Sequence, residues 1–236
     1  MKSLTVIAIE GIGEIRPGDE LAVHIADAAA AQGSPLTDHD CVVVTQKVVS
    51  KAEDRLVPLD PDNLAAKQAL VERESARIVR RRGDLTISET HHGFVCANAG
   101  IDLSNVEHGT AALLPIDPDR SAKHIRDATR ARYGVEIAVI ISDTFGRPWR
   151  MGLTDVAIGV SGIAAVVDLR ETPDALGRLL HVTEVAIADE IAAAAELVMG
   201  KADGVPAAIV RGLDAAWFRE GTYRELIRPA QEDLFR

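Results

Sequence analysis

The 236-residue sequence predicts an α+β fold, in which helices flank a mixed, largely antiparallel sheet. Strand-like and helix-like segments alternate along the chain, but their spacing is uneven. Two strand signals, Leu85–Thr90 and Phe94–Ala97, follow each other with only a His-His-Gly turn between them. Because an α/β protein would separate its strands with helices, this pattern favours α+β. The sequence has no internal repeat and no Pro/Gly-rich linker, so we expect a single module over residues 1–236, in one or two subdomains.

Apolar runs and capping residues predict the elements of the first half of the chain. Two further runs typical of strands lie at Leu4–Ile9 and Cys41–Thr45. We expect one helix from a cap at Asp19 toward Gln32, and a second from a cap at Asp60 to Arg82. Charges of both signs alternate near the end of the second segment, which is typical of a solvent-exposed helix.

The second half of the chain combines strand signals with better-defined helix signals. Asp117 is expected to cap a helix that ends at Gly134. Val135–Ser142 follows as a strand that is apolar on both faces, so it should lie inside the sheet. The remaining predicted elements are a strand within Asp155–Asp168, an Ala-rich helix from a cap at Thr183 to Gly200, a strand at Val205–Arg211 and a short helix at Leu213–Phe218.

The composition excludes several classes of function. The chain has 26 lysine and arginine residues against 36 aspartate and glutamate residues, a net charge of −10, and only 3% aromatic residues. Binding to nucleic acid or to an anionic membrane would need a basic footprint, so we expect neither. No apolar run approaches the roughly 20 residues of a membrane span, and the N-terminal run is too short for a signal peptide. Cys41 and Cys96 lie in apolar runs, which indicates buried free thiols in a cytoplasmic protein.

Oxygen-bearing side chains mark two segments that follow predicted strands. Asp102 lies in a loop after the strand at Phe94–Ala97, and Asp143 and Thr144 come directly after Val135–Ser142. Carboxylate and hydroxyl oxygens are ligands that Mg²⁺ and Mn²⁺ prefer. A divalent metal site is therefore one interpretation, while a turn or capping role is the simpler interpretation of each aspartate taken alone.

Cations accompany these oxygens. Arg147 and Arg150 follow the second segment, and arginine shares with a metal the charge on phosphate oxygens during phosphoryl transfer. The same arginines could instead bridge subunits. Lys47 and Lys51 lie four residues apart after a strand, where they could hold phosphates or form a solvated helix face. The sequence has no glycine-rich phosphate motif of the common kinds.

Five longer runs carry a family resemblance. They are Gly11–Asp19, Val42–Glu53, His92–Asp102, Ile141–Arg150 and Glu196–Gly200. In these runs the chain resembles the coenzyme F-420 γ-glutamyl ligases, which use GTP to attach L-glutamate to a deazaflavin coenzyme. The resemblance implies an α+β fold that forms an intertwined homodimer, and an acyl-phosphate route to the new amide bond. It also implies a ligase module without the C-terminal reductase-like domain that some relatives carry.

The resemblance further implies ligands for the metal and the nucleotide. Asp102 and Asp143 would bind one Mg²⁺ or Mn²⁺ ion, and Thr144 a second. A monovalent cation such as potassium would be a further cofactor. The GTP contacts would come from Gly11, Ile12, Gly13, Glu14, Gln46, Lys51, Asn105, Met199, Gly200 and Lys201.

Catalytic roles follow from the same resemblance. Arg147 or Arg150 would hold a carboxylate or the transferring phosphoryl group, and His92 is a candidate base for the incoming amine of glutamate. At position 201 relatives often carry glutamine as a metal ligand, but this chain has Lys201. A protonated lysine has no lone pair to donate, so either the second metal site is in doubt or Lys201 contacts phosphate.

Two other functions remain open from the sequence. The Asp, Thr and Arg residues alone would also suit a metal-dependent nucleotide phosphohydrolase or phosphotransferase. Lys201, in place of a ligand, would also suit a nucleotide-binding module without catalysis.

Removing divalent metal is expected to abolish turnover of the reaction that the resemblance implies. GTP, glutamate and the coenzyme precursor are all anionic, and the chain itself carries −10. Two bare carboxylates would repel the triphosphate, so local cations are needed to gather these substrates. The measurement is product formation before and after dialysis against a chelator, and after Mg²⁺ or Mn²⁺ is added back. Turnover that survives chelation would contradict the metal assignment.

Overall fold

A five-stranded mixed sheet forms the centre of the computed structural model, which describes residues 3–104 and 106–234. Its strands and those of the smaller sheets are β1 (Thr5–Ala8), β2 (Cys41–Thr45), β3 (Leu56–Pro58), β4 (Ser75–Arg82), β5 (Leu85–Thr90), β6 (Val95–Ala97), β7 (Thr110–Ala112), β8 (Ala138–Arg147), β9 (Arg150–Ser161), β10 (Val167–Asp168), β11 (Glu184–Val185) and β12 (Ala207–Arg211). The helices are α1 (Leu21–Ala31), α2 (Gln46–Ala52), α3 (Leu64–Arg73), α4 (Pro118–Tyr133) and α5 (Ile187–Met199).

The order of strands in the central sheet is β1-β12-β2-β8-β9. β2 and β8 run parallel, while the other neighbouring pairs in this sheet run antiparallel. The smaller sheets are β4-β5-β6, β3-β7 and β10-β11, and all of their pairs are antiparallel. The predicted α+β class and the mixed, largely antiparallel sheet are therefore confirmed.

Side chains on β2 and β8 alternate between two apolar layers. Val42, Val44 and Ile141 face a layer that includes α1 and α4, whereas Val43 and Ile140 face one that includes α5. All five side chains are fully buried. Because each contributes about 1.5–3 kcal/mol on burial, the centre of the sheet is the most strongly held part of the fold. The expectation that the segment before Asp143 lies inside the sheet is confirmed.

The residues predicted to begin and end α4 are confirmed. The Asp117 carboxylate accepts the backbone N–H of Arg120 at 3.1 Å, and Pro118 occupies the first turn, where no donor is needed. Gly134 ends the helix in the left-handed conformation, with φ of 69°.

The predicted helix to Arg82 is wrong in its second half. α3 is capped by Asn63 rather than by Asp60, and it ends before most of the charged run. That run forms β4, which pairs antiparallel with β5. Across this pair Arg77 donates to Glu89 at 3.0 Å. An exposed strand and an exposed helix can both carry alternating charges. Pairing with β5 makes this segment a strand.

Two other predicted caps are also wrong. Asp19 accepts the backbone N–H of Arg16 at 2.8 Å, and Glu20 directly precedes α1. Thr183 precedes β11, and α5 begins at Ile187 without a side-chain cap. Each polar residue lies near its helix, but the chain turns locally before the helix starts.

The structure pairs β8 and β9 in a long antiparallel hairpin, where the sequence predicted only two separate strands. β8 continues beyond Ser142 to Arg147, so Asp143 lies within a strand and not at its carboxyl end. The segment predicted as one strand, Asp155–Asp168, is divided between the end of β9 and the short β10. The short helix predicted at Leu213–Phe218 is a 3₁₀ turn at Ala215–Trp217.

The cysteines and the helices bear on the class of protein. Cys41 and Cys96 are buried free thiols, as predicted. Burial raises the pKa of both thiols, that of Cys96 to about 12, so neither is a thiolate at neutral pH. Within residues 3–104 and 106–234, no helix combines the length and apolar character needed to cross a membrane. The homodimer stays a prediction.

Replacing Gly159 with alanine is expected to destabilise the fold. An added Cβ on this β9 residue would lie 2.4 Å from the carbonyl oxygen of Pro118, at the start of α4. We expect the free energy of unfolding to fall by about 1–3 kcal/mol, the usual cost of overpacking. Urea denaturation measures it, with Gly146→Ala on β8 as the matched control, because the nearest atom there is 3.9 Å away. Equal stability of the two variants would refute the predicted clash.

Candidate functional site

A cavity of about 610 Å³ lies where the start of α2 meets the β8–β9 hairpin and two loops, at residues 12–15 and 200–206. Its wall brings together predicted site residues from distant parts of the chain: Ile12, Gly13, Glu14, Gln46, Lys51, Asp102, Asp143, Thr144, Gly200 and Lys201. The structure therefore assembles most of the metal and nucleotide ligands that the resemblance implied into one place. Asn105 lies outside the described residues.

Strand pairing places the two walls of this cavity. In the parallel pair of β2 and β8, Thr45 lies beside Ser142, and the chain turns from Thr45 directly into α2. The first turn of α2 therefore begins next to Asp143. On the other side of β8, the antiparallel partner β9 places Asp155 opposite Thr144. Asp143 and Thr144 thus lie between a lysine-bearing helix and a second carboxylate.

Asp102 is held at the cavity by its backbone and its side chain. Its N–H and carbonyl both pair with Ala112, next to β3. Its carboxylate accepts the backbone N–H of Ser104 at 2.6 Å and lies 2.9 Å from Lys47 Nζ. Burial by itself would raise the pKa of Asp102, but the hydrogen bonds from Ser104 and Lys47 hold it below the ordinary value. This carboxylate is therefore negative at neutral pH.

The pKa of Asp143 is shifted in the opposite direction from that of Asp102. Burial, aided by the neighbouring charges of Asp102 and Asp155, raises the pKa of Asp143 from 3.8 to about 7 against the opposing effect of the hydrogen bond from the Thr144 N–H. The three carboxylates thus share one partly buried region, and their mutual repulsion favours a proton or another cation beside Asp143.

The donor set at Asp102 and Asp143 fits a hard divalent cation. Both supply carboxylate oxygens, which are what Mg²⁺ and Mn²⁺ prefer, and the nearby charge of Asp155 adds to the attraction for a cation. Within the described chain, no group of three or more His, Cys, Asp or Glu side chains is arranged to hold a metal ion. Two carboxylates suffice for Mg²⁺ when waters or substrate phosphates supply the other ligands.

Lys201 contacts the far side of this carboxylate cluster. Its Nζ lies 2.6 Å from Thr144 Oγ1 and 2.7 Å from Asp155 Oδ1. Glu196 Oε1, at the end of α5, is also 2.7 Å away. Desolvation by itself would lower the pKa of Lys201, but the hydrogen bonds that its ammonium donates to Asp155 and Glu196 raise it above the ordinary value, so the ammonium is charged. The Thr144 hydroxyl therefore faces an ammonium group.

A third lysine completes the positive side of the cavity. Lys51 Nζ lies 2.5 Å from Glu14 Oε1, across the opening between α2 and the first loop. Lys47, Lys51 and Lys201 are thus each paired with at least one carboxylate. The cavity offers cations to an anionic ligand, although the chain as a whole carries −10.

Five predicted site residues lie outside the cavity wall. Gly11 and Met199 directly precede residues of the cavity wall in the sequence but do not line the cavity themselves. His92 Nε2 faces the carbonyl oxygens of Pro115 and Ile116 at 2.9 and 3.1 Å, and burial lowers the pKa of this histidine. The remaining two are the exposed residues beside the turn of the β8–β9 hairpin, Arg147 and Arg150. The hairpin extends past the cavity and carries both arginines with it, so the catalytic roles of these side chains stay predictions.

Comparison with known proteins identifies the family. The sequence profile described as F420-0:Gamma-glutamyl ligase matches residues 11–212. The chain belongs to this family. All of the residues that line the cavity lie within the matched region.

Three curated relatives each match 86% or more of the chain. The coenzyme F420:L-glutamate ligase of Methanothermobacter thermautotrophicus is 45% identical, with 99% of each chain covered. The ligase of the same name from Methanopyrus kandleri is 43% identical over the full length of both chains. The one from Methanocaldococcus jannaschii is 42% identical, with 86% of each chain covered.

Sequence reasoning missed two carboxylates of the site. Asp155 is 2% exposed and accepts hydrogen bonds from Ser142 Oγ and Thr144 Oγ1, while Glu196 contacts Lys201. A charged residue at the start of a predicted strand was the available signal for Asp155, because a buried carboxylate requires partners. Glu196 gave no such signal, since glutamate is common on exposed helix faces.

The contribution of Asp143 to the stability of the metal-free protein is expected to fall as the pH rises from about 4 to 7. The pKa of Asp143 is raised by folding to about 7, so the folded state holds a proton that the unfolded state releases near pH 3.8. Asp143→Asn should flatten this part of the pH profile. Chemical denaturation at several pH values measures the slope. The exposed Asp62→Asn is the control and should keep the wild-type slope; an unchanged slope in Asp143→Asn would refute the assignment.

Proposed function

We propose that the chain is a GTP-dependent ligase that joins L-glutamate to the deazaflavin coenzyme F-420 precursor through an amide bond. The observation that carries the proposal is the match of the whole chain to coenzyme F420:L-glutamate ligases, with the cavity lying inside the matched region. The paired Asp102 and Asp143 and the three lysines supply the charges that such a reaction needs.

The chemistry requires an activated carboxyl group. In the proposed route, a carboxylate oxygen of the precursor attacks the γ-phosphorus of GTP, the bond to the β-phosphate oxygen breaks, and GDP leaves. The amine of glutamate then attacks the acyl carbon, the bond to phosphate breaks, and the amine loses a proton. Net products are the amide, GDP and phosphate.

Asp102 and Asp143 would hold the divalent ion in this proposal. When bound, Mg²⁺ or Mn²⁺ neutralises the charge that develops on the phosphate oxygens. Lys47 would be released from Asp102 when that carboxylate turns to the ion, and its ammonium would then be free to face a phosphate. Lys51 would change partners from Glu14 in the same way, because the Glu14 side chain is largely exposed and water can replace the ammonium there.

Gln46 supports a polar ligand in the cavity. Its side chain is 2% exposed, and its Nε2 has no hydrogen-bond partner among the described residues, although Oε1 accepts from Ser50. A buried amide donor without a partner is costly, so an acceptor on the bound nucleotide would stabilise the complex. The proposal further includes the homodimer that the resemblance implied, and the cytoplasmic location that the N-terminal run and the cysteines indicated.

Asp143→Asn is expected to lower ligation by at least about 100-fold, because losing a direct ligand should exceed the usual effect of losing a residue that supports one. The assay contains GTP, Mg²⁺ or Mn²⁺, L-glutamate and the unglutamylated coenzyme, and mass spectrometry follows the addition of glutamyl units. Asp62→Asn serves as the control and should remain active.

Two results would overturn the proposal. One is the absence of any glutamyl adduct under conditions where a known ligase works. The other is GTP hydrolysis that is indifferent to glutamate and coenzyme, which would instead identify a metal-dependent phosphohydrolase.

A further inference from the structure

The Lys201 ammonium lies in a cradle of three oxygens. The cradle consists of Thr144 Oγ1, Asp155 Oδ1 and Glu196 Oε1, at 2.6, 2.7 and 2.7 Å from Nζ. Three different elements, β8, β9 and α5, provide these oxygens, while the lysine comes from the loop that follows α5. Three short contacts from one ammonium use all of its donors.

The cradle has more negative than positive charge. Asp155 and Glu196 contribute two carboxylates, and one ammonium lies between them. The Asp155 side chain is 2% exposed, and its second oxygen accepts from Ser142 Oγ at 3.0 Å. Glu196 Oε2 is buried without a hydrogen-bond partner in the described chain. Removing the ammonium would leave the buried carboxylate of Asp155 and the partly buried one of Glu196 uncompensated, which favours the entry of another cation.

Lys201 lies in a loop and not in a helix or strand. The lysine side chain is 54% exposed, although its ammonium reaches a nearly buried carboxylate. An exposed lysine gains little from an ordinary surface ion pair, and ordering its long side chain is costly. Its extended reach into the cradle therefore indicates a site that demands a cation.

We propose that Lys201 is a resident cation, whose ammonium fills a position that a metal ion would otherwise take beside Thr144. Two carboxylates and a hydroxyl form a hard-oxygen set that suits Mg²⁺ or Mn²⁺. The chain then binds one divalent ion fewer than its oxygen ligands allow, and part of the positive charge of the cavity cannot be removed by a chelator. The inference deepens the proposed function, and it rests on that proposal only for placing the exchangeable ion at Asp102 and Asp143.

Counting Mn²⁺ ions bound by the full chain tests this inference. Titration at neutral pH without nucleotide, followed by electron paramagnetic resonance of free Mn²⁺, gives the number of ions per chain. Lys201→Met keeps the length of the side chain but removes its charge, so it should bind one more Mn²⁺ than the wild type. Adding Glu196→Gln to that variant should remove the extra ion, which places the ion in the cradle.

Lys123→Met is the matched control. Lys123 is also exposed and also pairs with a carboxylate, Asp127 at 2.7 Å, but it lies on α4 away from the cavity wall. This variant should bind the same number of ions as the wild type. Lys201→Arg, which keeps a positive charge, should do so as well.

Equal Mn²⁺ counts in the wild type and Lys201→Met would overturn the inference. If Lys201→Met does not fold, as judged by circular dichroism, Lys201→Gln replaces it; failure of both to fold with or without Mn²⁺ would show a purely structural ion pair and also overturn it. Because the count uses neither GTP nor glutamate, an extra ion in Lys201→Met with no ligase activity in the wild type would overturn the proposed function alone.

Discussion

β2 and β8 lie side by side and parallel in the middle of the sheet, with Thr45 beside Ser142. Apolar side chains cover both faces of this pair, so its register is fixed by burial: a slip of one residue would exchange the two apolar layers. The register also fixes the site, because α2 starts directly after Thr45 and Asp143 directly follows Ser142. The lysines of α2 and the carboxylates of the hairpin therefore meet as a consequence of core packing.

Charge balance is the second constraint on this cavity. Asp102, Asp143 and Asp155 approach each other in a partly buried region, where like charges repel strongly. Lys47 compensates Asp102, Lys201 compensates Asp155, and Asp143 responds with a raised pKa. The position next to Asp143 is thus the one where added positive charge stabilises the cavity most. An acidic protein can in this way collect anionic substrates without a basic surface.

The three lysines of the cavity differ in the number and burial of their partners. Lys47 and Lys51 project from one helix, and each pairs with a single carboxylate, Asp102 and Glu14 respectively. Lys201 contacts three oxygens at once, and one of its partners is nearly fully buried. Exchange there would expose a buried carboxylate, so this ammonium is the least replaceable of the three.

The sequence by itself determined the α+β class, the buried strands at β2 and β8, the limits of α4 and the family, because these depend on local apolar patterns, caps and long specific motifs. It also placed Asp102, Asp143 and Thr144 among the site residues. Only the structure decided that the charged run is β4, since pairing with β5 in a hairpin selects a strand over a helix. Likewise, only packing brought Asp155, Glu196 and Lys201 together, and only the length of the β8–β9 hairpin carried Arg147 beyond the cavity. Long-range pairing decides such contacts, and no local pattern encodes it.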